Sequence, residues 1–152
     1  MYFGVFQESA VKNVDFPQTL KRIECNAFYC CQNLKGVRLP DELEVIGNMC
    51  FSRSGLEKVS FPAYVKEVGA CAFCDCKQLE NVKLNNNLEK LGEKRVVNGV
   101  TYEGSAFARC AIKNIRFPSS LKRIEVNTCK DCKRLASIEF APGIEYLGGT
   151  CF

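Results

Sequence analysis

At 152 residues with 47% apolar side chains, the chain has the size of one ordinary domain with a continuous core, and nothing in it forces a second. Its 21 basic and 17 acidic residues leave a net charge of +4, interspersed along the chain, which makes no electrostatic case for nucleic acid. No run approaches the roughly 18 apolar residues that a membrane helix needs, and Met1 to Gly4 do not open a signal peptide, so composition leaves the compartment undefined.

Taken in order, the chain repeats itself with a period of about 23 residues. Phe6 to Ser9 is the tail of a preceding unit. Copy one runs through Val11, Val14, Phe16, Pro17, Leu20, Ile23, Ala27, Phe28 and Cys31. Copy two has Leu34, Val37, Leu39, Pro40, Leu43, Ile46, Gly47, Cys50, Phe51 and Ser54. Copy three is the most regular, with Leu56, Val59, Phe61, Pro62, Val65, Val68, Gly69, Ala72, Phe73 and Cys76 in register. Copy four opens with Leu79, Val82, Leu84, Leu88, Leu91 and Gly92. It is then interrupted by about eleven extra residues before Ala106, Phe107 and Cys110 complete it. Copy five gives Ile112, Ile115, Phe117, Pro118, Leu121, Ile124 and Cys132, with Thr128 and Cys129 where alanine and phenylalanine are expected. Copy six supplies Leu135, Ile138, Phe140, Ile144, Leu147, Gly148, Cys151 and Phe152 and stops in mid-unit.

The unit has a physical reading of its own. In Val59-Ser60-Phe61, apolar side chains two apart share one face and Lys58 and Ser60 take the other, the pattern of a short half-buried strand. The proline after it cannot donate to a ladder and turns the chain. Val65 and Val68 are too close to turns for a long helix, so a brief extended or 3₁₀ segment is expected there. Gly69 and its equivalents are read as a sharp bend, after which Phe73 enters the core. No single unit encloses a core, so the units must stack, bringing Val14, Val37, Val59, Val82, Ile115 and Ile138 into one column.

Recurrent prolines argue against stacked amphipathic helices, whereas a parallel β-helix is not excluded by the period. The LxxVxF pattern favours leucine-rich repeats. The segments LKGVRLPDELEVIGNMCF, LEKVSFPAYVKEVGACAFCDC and IKNIRFPSSLKRIEVNTCKDC resemble the BspA-like, or Treponema-type, leucine-rich repeat over essentially the whole chain. The resemblance implies a single leucine-rich-repeat domain over 1–152, a right-handed superhelical solenoid of short parallel strands and 3₁₀ turns with little α-helix. It also implies a surface or secreted protein whose role is adhesion or binding of a protein ligand from a host or matrix. An intracellular scaffold of the same fold is the alternative. The insertion, the irregular copy five and the abundance of cysteine depart from the family pattern, and copy five predicts a weaker core near Cys129.

Eleven cysteines accompany no histidine. Cys31, Cys76, Cys110 and Cys132 share one phase, filled elsewhere by Ser9 and Ser54. They read as a buried ladder whose thiols and hydroxyls satisfy turn carbonyls. Cys71 with Cys74, and Cys129 with Cys132, form CxxC pairs, for which a cysteine-only metal or redox site is the sharper reading. The two cysteines of each pair fall on different phases, however, and no histidine is available to join them. Cys25, Cys30, Cys71 and Cys74 leave room for a disulfide between adjacent coils in an oxidising compartment. With no histidine, no Walker loop and no GxGxxG, no catalytic constellation or cofactor site is read, and no metal site is assigned.

Two surfaces are candidates for binding. The out-pointing strand positions form columns on the expected concave face: Asn13, Lys58, Asn81 and Asn114 in one, and Asp15, Arg38, Ser60, Lys83, Arg116 and Glu139 in the next, basic in the middle and acidic or neutral at the ends. A solvated face is the plain reading, and an acidic protein or glycan patch is the ligand that charge favours. In the insertion, about 93–104, Asn98-Gly99 is the preferred pair of a type I′ turn between strand formers. A projecting β-hairpin is expected, with Asn98 and Tyr102 as contacts if it binds and a tolerated surface loop if it does not. The end coils, without polar caps, predict self-association or a longer array.

Overall fold

The computed structural model describes residues 4–97 and 99–152. Its strands, in chain order, are β1 (Arg22–Ile23), β2 (Val45–Ile46), β3 (Lys58–Ser60), β4 (Glu67–Val68), β5 (Asn81–Lys83) and β6 (Lys90–Leu91), followed by β7 (Arg95–Val97), β8 (Val100–Tyr102), β9 (Asn114–Phe117), β10 (Arg123–Ile124), β11 (Ser137–Phe140) and β12 (Tyr146–Leu147). Together they make a β-solenoid of about five turns, with no helix among the described residues.

Each coil contributes to three faces. The VxF segments build the first, a parallel sheet in the order β3-β5-β9-β11. Val59 lies beside Val82 and Ile115 beside Ile138, and a bridge from Gly36 to Lys58 extends the sheet toward Val37. Four apolar side chains of the predicted column are thus paired across neighbouring strands in the expected register. In copies two, three and five the proline then ends the segment, and an i→i+3 bond closes the turn after it. Val65 N donates to Pro62 O at 3.2 Å, and Leu43 N and Leu121 N donate to Pro40 O and Pro118 O at 3.1 Å. The second apolar pair is extended. Ile23, Ile46, Val68 and Leu91 stack in the parallel order β1-β2-β4-β6, and β10 pairs with β12 in the same manner.

The third face is made of turns. Amides alternate between the next coil and their own: Cys71, Phe73 and Asp75 each donate at 2.9 Å, to Gly104 O, Ala106 O and Ala108 O, while Cys74 N and Cys76 N close i→i+3 turns onto Cys71 O and Phe73 O. The bonds are of the 3₁₀ type, but single turns replace a continuous helix. Alternation requires the peptide plane to flip twice per coil, and two non-glycine residues per coil take left-handed φ to achieve it. Asn26, Met49, Cys71, Ser105, Asn127 and Thr150 occupy one such phase, and Glu8, Cys30, Arg53, Asp75, Arg109 and Asp131 the other.

Here the reading of Gly69 is corrected. It is absent from the positive-φ residues, and the bend falls two residues later, at Cys71. What Gly69 provides is close approach, since a Cβ there would lie 2.6 Å from the backbone nitrogen of Asn48 in the preceding coil.

The interior is a column of rings. Phe6, Phe28, Phe51, Phe73 and Phe107 stack in sequence at centroid separations of 5.2, 5.2, 5.4 and 5.4 Å, so the core passes the insertion without a break. The column ends at Cys129, which is fully buried along with Thr128, whose hydroxyl donates to Glu125 O at 2.7 Å. Beyond that point aromatic contact moves to Phe117, Phe140 and Phe152.

The thiol ladder takes the form expected. Cys31, Cys76, Cys110 and Cys132 donate from Sγ to the carbonyls of Phe6, Phe51, Phe73 and Phe107 in the coil before, at 2.9, 3.0, 3.0 and 3.1 Å. Burial pushes the Cys110 thiol well above its ordinary pKa, so it remains a donor at neutral pH. Cys110→Ala is therefore expected to cost about 0.5–1.5 kcal/mol, because it removes one of the two hydrogen bonds that Phe73 O accepts and leaves Cys76 N as its remaining donor. Cys110→Ser, which restores a donor already used at this phase as Ser54, should lose less than half as much in urea melts.

Candidate binding face

The strands β3, β5 and β9 point Lys58, Ser60, Asn81, Lys83, Asn114 and Arg116 outward, all of them exposed. This follows from the alternation in VxF: once Val59, Val82 and Ile115 are inside, their neighbours must face solvent. The sheet is not uniform along this row. β3 pairs with β5 at three positions, but β5 meets β9 in register only at Asn81 with Asn114. Copy four lacks the proline found after this segment in copies one, two, three and five, and Asn85 replaces it. Its Nδ2 donates backward to Pro62 O at 2.6 Å and Val65 O at 2.9 Å, tying the end of β5 to coil three and away from β9.

The splay leaves two adjoining depressions. One, of about 420 Å³, is lined by Lys58, Ser60, Asn81, Lys83 and Asn114 together with Glu80. The other, of about 540 Å³, shares Ser60 and Lys83 and adds Asn85, Asn86 and Arg116. Six of the residues predicted from the sequence thus meet at one place.

The remaining predicted residues do not join them. Asn13, Asp15 and Arg38 are exposed on the same phase but lie outside any strand and do not line the depressions. Glu139 lies on β11 opposite Arg116 and pairs with it at 3.3 Å. The hairpin forms as expected, with Arg95 opposite Tyr102 and Val97 opposite Val100, and with Gly99 at φ +78°. Tyr102 sits half-buried on it and lines neither depression, and Asn98 lies outside the described residues.

Electrostatics divide the cations of the face. Glu80, which sequence reasoning passed over, accepts Lys113 Nζ at 2.7 Å and an Nη1 of Arg134; these two cations hold its carboxyl below the usual range. Its one sequence signal was its place immediately before an out-pointing column. Lys58 and Lys83 have no carboxylate within ion-pair distance among the described residues, so the floor of the face presents two uncompensated ammonium groups beside amide side chains. Such a surface attracts anions and offers hydrogen bonds in both directions. Among the described residues no group of three or more His, Cys, Asp or Glu side chains is arranged to hold a metal ion.

The profile of the BspA type leucine rich repeat region matches residues 2–99 and 96–152, in six copies. The chain belongs to the BspA-type leucine-rich-repeat family. No curated protein matches it. Among solved structures it is similar to a leucine-rich-repeat protein of Treponema pallidum, at 21% identity and a TM-score of 0.71, over 85% of this chain and 67% of that one. It is also similar to a leucine-rich cell surface protein of Faecalibacterium prausnitzii, at 24% identity and a TM-score of 0.57, over 82% of this chain and 37% of that one. A leucine-rich-repeat protein of Eubacterium ventriosum gives 19% identity and a TM-score of 0.63, over 96% and 40%. The BspA-type chain described here therefore spans well under half the length of the last two. At these identities the likeness is one of fold. Proteins of this family are generally protein-interaction or adhesion modules.

Proposed function

We propose that this BspA-type repeat is a non-enzymatic binding module of a surface or secreted protein, and that it takes an acidic protein segment on the face where β5 parts from β9. The observation that carries the reading is the pair of unpaired ammonium groups, Lys58 and Lys83, in two adjoining depressions, the first lined also by Asn81 and Asn114 and the second by Arg116. Repeat proteins bind by surface complementarity across several coils, and a partner of opposite charge is steered to such a patch. Surface placement rests on the family and on the fold shared with a protein described as a leucine-rich cell surface protein.

Binding of a fluorescent poly-glutamate peptide tests the proposal. Lys83→Glu is expected to weaken it about tenfold at low salt, and Lys58→Glu similarly, with the loss shrinking as salt screens the surface. Lys90→Glu, which reverses an exposed charge on the second sheet already paired with Glu93 at 3.6 Å, should change little. Equal losses from all three variants would mean that net charge alone governs binding, and the assigned face would be wrong.

An intracellular scaffold is favoured by one observation. All eleven cysteines are free, and four of them act as thiol donors inside the core, a use that requires the reduced form. At the far end, Phe140, Leu147 and Phe152 are exposed beside the open edge of β11 and β12, and this is the surface on which a second copy or a further coil would stack.

A further inference from the structure

One cysteine pair is built differently from the rest. Cys71 and Cys74 are the first and last residues of a single turn, closed by Cys74 N donating to Cys71 O at 3.1 Å. Residues so placed in a β-turn have Cα atoms less than about 7 Å apart, at or near the span a disulfide bridges. Their side chains meet, Cys71 half-buried at the surface and Cys74 behind it. The insertion, which leaves coil four at Gly92 and re-enters at Gly104, does not disturb the register of the next coil. Arg109 therefore comes to lie over the pair, and its Nη2 is 3.0 Å from Cys74 Sγ. The guanidinium is held there by Asp75, whose carboxylate receives Nε and Nη2, each at 2.8 Å.

The second CxxC pair serves as an internal contrast. Cys129 and Cys132 span the same kind of turn, with Cys132 N on Cys129 O at 3.1 Å, but both are buried. Cys129 replaces a core phenylalanine, and the Cys132 thiol is committed to Phe107 O. Among the other cysteines, Cys25 is exposed and Cys30 half-buried, Cys30 being next to the buried ladder residue Cys31, and Cys31, Cys50, Cys76, Cys110 and Cys151 are buried.

We propose that Cys71 and Cys74 form a thiol–disulfide exchange site for low-molecular-weight disulfides, with Cys71 as the attacking sulfur, Cys74 as the resolving sulfur and Arg109 as the positioning cation. In the first step the Cys71 thiolate attacks one sulfur of the small disulfide RSSR. A Cys71–SR bond forms, the S–S bond of the reagent breaks, and RS⁻ leaves and takes a proton from solvent. In the second step Cys74 gives its proton to solvent and attacks the Cys71 sulfur, and the second RS⁻ leaves. Two protein thiols lose two electrons and two protons, and one RSSR becomes two RSH.

The surroundings suit each step. Donation from Cys74 and the charge of Arg109 lower the Cys71 thiol to about 7, so much of it is thiolate at neutral pH. Ser105 donates to the same sulfur, and Asp75 opposes the shift. The Cys74 thiol is raised first of all by its bond to Cys71. Once Cys71 carries SR that charge is gone, and Arg109 then favours a thiolate on Cys74. The other charges facing the cluster are Arg53, 3.9 Å from Asp75, and Asp131, which faces Arg109.

Incubation of the native chain with glutathione disulfide, acid quenching, alkylation in denaturant and peptide mapping test the site. The expected result is a Cys71–Cys74 disulfide formed before any other cysteine reacts, with Cys129 and Cys132 alkylated as free thiols. Cys74→Ala should stop the reaction at a glutathione adduct on Cys71. Arg109→Gln should slow oxidation about tenfold at neutral pH and move its pH profile upward, while Arg109→Lys retains most of the rate. Circular dichroism on each variant confirms that the coil is intact. The proposal is overturned if Cys25 or Cys30 reacts faster than Cys71, if the Cys71 adduct persists with Cys74 present, or if folded Arg109→Gln matches the parent rate. Because none of these readouts involves the Lys58 and Lys83 face, the site stands or falls independently of the binding proposal.

Discussion

Phe73→Ala is expected to lower stability by about 3–5 kcal/mol, the range for removing a fully buried aromatic side chain and leaving its cavity. Phe73 is wholly buried between Phe51 and Phe107, each 5.4 Å away, with Phe61 at 5.8 Å on its flank. Its position in the middle of the ring column makes the effect more than local. Each coil touches only its neighbours, and this ring is one of the contacts that join coil three to both of them, beside the sheets and the turn amides, so its loss weakens the coupling between the two halves of the array. A fall in melting temperature of about 10 °C or more, with a broader transition, is the expected signature. Phe6→Ala supplies the comparison. That ring is 42% exposed and, among the described residues, stacks on Phe28 alone in the column, and its loss should cost about 1 kcal/mol. If the two variants melt alike, the continuous column does not organise stability in the way described.

Much of this arrangement was legible because its causes are side-chain preferences with a short period. The strand positions announce themselves in VxF, where valine and phenylalanine two apart cannot both face water. The thiol ladder was legible because serine and cysteine trade places at one phase, and a small residue that also donates a hydrogen bond is the common factor. Asn98-Gly99 between β-formers marked the hairpin, and β7 and β8 pair around it.

Other features had no such signal. The left-handed residues before Ala72 and Cys76 are a backbone demand, imposed by amides that must alternate between coils, and the positions are filled by Asn, Met, Cys, Ser and Thr or by Glu, Cys, Arg and Asp. Asparagine and aspartate tolerate this conformation best and were the only hint. The parting of β5 from β9 depended on one amide, Asn85, reaching back to coil three, a contact that sequence spacing does not reveal. Arg109 and Cys74 are brought together across the insertion, 35 positions apart, and only the preserved coil register explains why they touch.

Gly69 gives the sharpest separation of the two readings of a repeated glycine. Had it served only as a flexible bend at ordinary φ, alanine there would stabilise the protein by about 0.4–1 kcal/mol, through a less disordered unfolded chain. The structure predicts the opposite sign. An alanine Cβ would stand 2.6 Å from Asn48 N and 2.8 Å from Gly47 C, backbone atoms that cannot swing aside, and 2.4 Å from Asn48 Oδ1. Asn48 is itself buried, and that oxygen accepts Ala70 N at 3.0 Å, so relief of the clash would break a buried hydrogen bond as well. Overpacking against backbone together with a lost buried bond puts the cost of Gly69→Ala at about 2–4 kcal/mol. Gly36→Ala isolates the entropic part, since nothing lies within 4 Å of a Cβ at that site and its φ is not left-handed. It should leave stability unchanged or raise it by a few tenths of a kcal/mol. Chemical denaturation of the two variants side by side decides the matter: opposite signs place the solenoid's coil spacing at the glycine phase, whereas matching signs would leave Gly69 as an ordinary turn residue and the close approach of coils two and three without consequence.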